Sequence, residues 1–123
     1  MANITSLAQL QAASTGFINN GSTADASTAQ TVVPAVAGKS HYITSISLSS
    51  IAEINAQIQD NTGTPVVILG PIAFADLTAT SSVASTPYAI TYPNAIQVAS
   101  GKSIDLKSSA AGAISVLIQG YTE

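Results

Sequence analysis

The chain has 123 residues, 46% of them hydrophobic and only 7% charged, with three lysines, no arginine, six acidic residues and a net charge of −3. A typical soluble domain carries about 25% charged residues, and this shortage excludes the basic patch that direct phosphate-backbone binding needs. The absence of cysteine excludes disulfides and thiolate metal centres. The longest apolar run, PVVILGPIAFA, is broken at Gly70 and Pro71, short of the roughly 18 residues a membrane helix requires.

Residues 1–30 differ from the rest. Ile4, Leu7 and Leu10 have helix-like spacing over barely two turns, and GFINNGSTADASTAQ follows with small polar residues that favour turns and extended chain. This predicts an N-terminal arm over 1–30, with Ile4, Leu7 and Leu10 as apolar anchors on a partner and a tether behind them. MANITSLAQLQAAS has neither a basic start nor an apolar core, so no signal peptide is expected.

From Thr31 onward the signals are β. TVVPAVA contains Pro34, which cannot donate to a ladder and therefore predicts an edge strand or a bulge. HYITSISLSS sets Tyr42, Ile46 and Leu48 on one parity against His41, Ser45, Ser47 and Ser49, the mark of a strand with one face on a core and one polar but uncharged. EINAQIQ repeats the pattern with Ile54, Ala56 and Ile58 against Asn55, Gln57 and Gln59. DNTGTP predicts a turn in which Gly63 supplies positive φ. VVILGPIAF reads as a buried strand. After a Ser/Thr/Ala-rich loop from Ala75 to Thr86 come PYAITYP, AIQVA, KSIDLKS and AISVLIQGY, the last two alternating around Ile104, Leu106, Ile114, Val116 and Ile118. About eight short strands at regular spacing predict an all-β fold, a jelly-roll-like antiparallel β-sandwich over 31–123 with an extended N-terminal arm.

Little in the chain can do chemistry. His41 is the only histidine, so serine catalysis would depend on it, yet no G-x-S-x-G elbow is present and a strand-start histidine reads as a surface residue. Glu53, Asp60, Asp76 and Asp105 fall at turns and strand ends, where carboxylates are usually solvated rather than paired for glycosidic chemistry. DNTGT lacks the regular calcium-loop pattern, and phosphate-cradling glycine motifs are absent. No catalysis, cofactor or metal is expected. A sugar platform would need exposed aromatics, and only Tyr88 and Tyr92, flanking a proline-bounded segment, suggest a rim. Polar faces of Ser, Thr, Asn and Gln suit protein contact, because they avoid the cost of burying charge.

From His41 onward the order of segments resembles that of small bacteriophage virion proteins. YITSISLSS opens with Y-I-T-S-I; IQDNTGTPVVILGPIAF carries a D-x-T-G turn and L-G-P-I; PYAITYPNAIQVASGKSIDLKSSAAGAISVLIQGYTE holds a G-K-x-I-x-L hairpin and a closing G-Y-x-E. The match covers about two thirds of the chain. The resemblance implies a capsid decoration or cement protein, made in the host cytoplasm and carried on the outside of the head. It would bridge major capsid protein subunits as a jelly-roll homotrimer, with no nucleic-acid or membrane partner. The same resemblance also fits a receptor- or carbohydrate-binding module of a tail or head fibre.

Overall fold

The computed structural model describes residues 15–74 and 88–123. Residues 1–14, which include the expected anchors Ile4, Leu7 and Leu10, and residues 75–87, which include Asp76, lie outside the described residues. Eight strands follow in order: β1 (Thr15–Asp25), β2 (Gln30–Val33), β3 (His41–Ser50), β4 (Asn55–Asp60), β5 (Val67–Ala73), β6 (Tyr88–Gln97), β7 (Ile104–Ser108) and β8 (Ala111–Thr122). They form two four-stranded sheets, β1-β8-β3-β6 and β2-β7-β4-β5.

All pairs are antiparallel, and β1 pairs with β8, β2 with β7, β3 with β6 and β4 with β5. The chain is therefore one long hairpin, β1 to β4 against β5 to β8. It is rolled so that β3 also meets β8 and β4 also meets β7. This is the eight-stranded jelly-roll arrangement, two sheets packed over one core. Ile43, Ile46, Leu48, Ile114 and Ile118 from the first sheet face Ile58, Ile104 and Leu106 from the second, all essentially inaccessible to water.

The expected arm is partly strand. Thr15–Asp25 is an edge of the first sheet, running beside β8 from Thr15 opposite Thr122 to Thr23 opposite Ile114. Its core side carries Phe17, Asn19, Gly21 and Thr23, so a real period of two is hidden by small and polar residues on both faces. PYAITYP and AIQVA, read as two strands, are one: in β6 the four residues Tyr92 to Ala95 stand opposite the single residue Thr44.

Thr44 is also unmatched against β8, where Ile43 faces Gly120 and Ser45 faces Gln119. One extra residue reverses the side on which every later side chain lies. His41 and Ile43 point into the core before the bulge, and Ile46 and Leu48 do so after it. Tyr42 thus belongs to the outer face, not with Ile46 and Leu48, and His41 is a core residue at 2% exposure rather than a surface one.

Proline behaves as expected in β2, which ends just before Pro34 at the edge of the second sheet. VVILGPIAF differs. It forms the opposite edge, and Val67 is 45% exposed because no described strand covers β5 on its outer side. The 60–66 turn also differs in its chemistry, since Gly63 does not take positive φ; Gly38, Gly70 and Gly101 do. The Asp60 carboxylate closes the turn instead, accepting from Thr62 N at 3.0 Å and Val66 N at 2.9 Å.

Candidate functional site: an uncharged sheet face

The pairing registers define the outer face of the first sheet row by row. Gly16, Tyr121, Tyr42 and Gln97 form one row, and Ile18, Gln119, Ser45 and Thr91 the next. Asn20, Leu117, Ser47 and Ala89 follow, then Ser22, Ser115 and Ser49. None of these residues is Asp, Glu, Lys, Arg or His. The serines that alternate along β3 all lie here, so the neutral half of the HYITSISLSS pattern is part of a continuous four-stranded surface.

The described charged groups lie elsewhere. Asp25 and Asp60 end their strands, Glu53 lies between β3 and β4, and Asp105 and Lys107 are on β7 of the other sheet. Lys39, Lys102 and Glu123 cluster at one end of the sandwich, where Gly101 N bonds to Lys39 O and Ser40 N to Glu123 O. Every described charge thus falls at the perimeter or on the opposite sheet.

The face is organised by side-chain contacts. Thr44 Oγ1 donates to Gln119 O at 3.1 Å, and Ser45 Oγ donates to Gln119 Oε1 at 3.2 Å, which orients that amide. Tyr42 and Tyr121 stack with ring centroids 5.0 Å apart and planes 8° from parallel, an offset arrangement across the β3 and β8 strands. The bulge makes this pair by moving Tyr42 outward, which is why counting parity along β3 alone misses it. Tyr88 and Tyr92, expected at a rim, instead pack against the core. At one end of the face an open hollow of about 500 Å³, lined by groups such as Ser22, Ser49, Ile51 and Ser115, contains no ionisable residue. Hydroxyls and amides on such a surface can meet another protein without the several kcal/mol per ion that burying charges costs.

The buried titratable groups serve the fold. His41 Nε2 lies 2.8 Å from Pro34 O, which can only accept, so this nitrogen carries the proton. His41 Nδ1 lies 2.8 Å from Thr122 Oγ1 and, in the neutral ring, accepts its hydroxyl proton. Phe17 meets the imidazole edge-on at 5.5 Å. Both ring nitrogens are thereby committed to tying the start of β3 to the segment after β2 and to the end of β8.

Asp60 is 3% exposed. Burial is the strongest single influence on its carboxyl and opposes ionisation. The N–H groups of Val66 and Thr62, the Thr62 hydroxyl and the Lys102 charge together outweigh it and hold the pKa below the ordinary aspartate value. A depressed folded-state pKa stabilises the fold above the unfolded-state value and loses that contribution as pH falls through the folded one. Asp60→Ala should therefore cost about 2 kcal/mol near neutrality by stripping two part-buried N–H groups of their acceptor and leaving a hole at a buried position. The gap to wild type should narrow below about pH 4. Urea denaturation at both pH values checks this; a gap independent of pH would contradict it.

Among the described residues, no three of His, Cys, Asp and Glu come together as a metal site, and no helix is long and apolar enough to cross a membrane. The class defined by fold and surface is a jelly-roll sandwich with a neutral, side-chain-ordered sheet face. No protein-family model, curated protein or solved structure matches the chain.

Proposed function

We propose that this chain is a structural virion protein of the decoration type, attaching to the outside of a phage head and bridging neighbouring major capsid subunits. The observation that carries the reading is the charge-free outer face of the β1-β8-β3-β6 sheet. A surface that displays only hydroxyls, amides, tyrosines and aliphatic groups is poorly suited to solvation alone and well suited to contact with another protein. The segment resemblance to small phage virion proteins supports the same reading, as does the jelly-roll fold. Residues 1–14, with Ile4, Leu7 and Leu10, are the proposed additional anchor on the shell.

The stacked Tyr42 and Tyr121, with Gln97 beside them on the same row, favour a second reading, a carbohydrate- or receptor-binding module of a tail or head fibre. Adding the protein to heads assembled without it, and imaging the particles, separates the two. Density at regular positions over the shell supports decoration. No binding to heads, with the protein found at tail or fibre tips of the parent phage, overturns it in favour of the second reading.

A further inference from the structure

We infer that the outer edge of β1, which no described strand covers, is an association site for a second copy of this chain, which adds its own β1 antiparallel to join two sandwiches through one continuous eight-stranded sheet. This inference does not depend on the decoration reading, because it concerns pairing along the β1 edge and is tested by self-association rather than by attachment to a shell.

A two-sheet sandwich has four edge strands, here β1 and β6 in one sheet and β2 and β5 in the other. Exposed edges present unpaired N–H and C=O groups, and natural proteins usually blunt them with proline, charge, irregularity or short length. Three of these edges are blunted. β2 has four residues, stops at Pro34, and its Val32 O already accepts a bond from Asn19 Nδ2 at 3.0 Å. β5 is interrupted by Gly70, at φ 103, and by Pro71. β6 carries Pro93 inside the four residues that stand opposite Thr44.

Over Thr15–Thr23, β1 has none of these devices; its register break and its charge both lie at the far end, between Thr23 and Asp25. It runs for 11 residues without proline, stays in uninterrupted register with β8 from Thr15 to Thr23, and has its only charge at the last position, Asp25. Ile18, near its middle, is 74% exposed, the most exposed large hydrophobic side chain among the described residues.

The occupant follows from symmetry and charge. Antiparallel self-pairing must keep like faces together, so the two-fold axis passes through a residue. With the axis at Ile18, Asn19 or Asn20, Ile18 faces Ile18, Asn20 or Ser22 of the second copy. No two charges oppose each other, and the exposed isoleucine is covered in every case. A three-fold ring built by strand pairing would need β1 to join a different edge of its neighbour, and the other three edges are blocked. Strand pairing therefore closes as a two-fold dimer. Two paired edges bury less than the roughly 1,600 Å² of a standard interface, so the dimer should depend on concentration in the micromolar range.

Light scattering of the full chain from about 1 to about 100 μM should give a mass rising from 12.3 kDa toward twice that value. Amide exchange in 15–25 should slow over the same range while that in β2, β5 and β6 does not. The double variant Ile18→Lys with Asn20→Lys sets like charges across the axis on exposed side chains that the core does not use. It should weaken association at least about tenfold at low salt. Val67→Lys, on the β5 edge, should leave association unchanged. A monomer at every concentration, a mass three times that of the chain, or a dimer indifferent to the two lysines would overturn the inference.

Discussion

Gly120→Ala should destabilise the protein by at least about 3 kcal/mol and lower its melting temperature by about 10 °C or more. Gly120 lies on the core side of β8, opposite Phe17 in β1 and Ile43 in β3. A Cβ added there would run into the Tyr42 carbonyl oxygen and lie 2.9 Å from the tip of the Phe17 ring. The obstacle at Tyr42 is backbone, and β3 cannot retreat because it is hydrogen-bonded between β8 and β6. The glycine is needed for close approach, since its φ is not positive. Gly63→Ala is the matched control: a Cβ there meets nothing within 4 Å and φ is again not positive. Thermal unfolding of the two variants tests the contrast, and a Gly120→Ala protein melting within about 2 °C of wild type would contradict it.

His41→Leu should cost about 2 to 4 kcal/mol. Leucine keeps much of the volume and can still touch Phe17, but it leaves the buried Thr122 hydroxyl and the part-buried Pro34 O without their partner. Buried polar groups stripped of a partner carry the full cost of their desolvation. Thr122→Val removes one of the two bonds and should cost about 1 kcal/mol. The two losses should not add, because both variants break the same bond. Chemical denaturation of the single and double variants reads this directly; a His41→Leu cost below about 0.5 kcal/mol would mean that the imidazole is not what ties these three segments together.

The sandwich was legible in the sequence because its interior strands alternate cleanly around Ile46, Ile58, Ile104, Leu106, Ile114 and Ile118, all of them buried. The strand total of about eight was reached by two departures that offset each other. β1 is hidden because Asn19, Gly21 and Thr23 occupy its core side, and β6 looks like two strands because Pro93 sits in a segment that loops out opposite Thr44. The bulge at Thr44 has no glycine or proline within β3 to announce it, so strict alternation places Tyr42 and His41 on the wrong faces.

Edge and centre were harder still. Val67 belongs to an apolar run that reads as buried, and only the order of strands in the sheet leaves it exposed. The shortage of charge is visible in composition, but its concentration into one uncharged face emerges only when registers from four strands are aligned. The stack of Tyr42 on Tyr121 was out of reach for the same reason, since it joins residues far apart in the chain across a bulged ladder.

The central claim, that this protein attaches to a protein shell through neutral surface, is tested most directly by titrating it onto heads assembled without it in about 0.05 M and about 1 M sodium chloride. Apolar burial and neutral hydrogen bonds are little screened by salt, so affinity should stay within about tenfold across that range. A fall beyond roughly a hundredfold, the scale expected when several bound counterions are released, would show that charge drives attachment and would contradict the account.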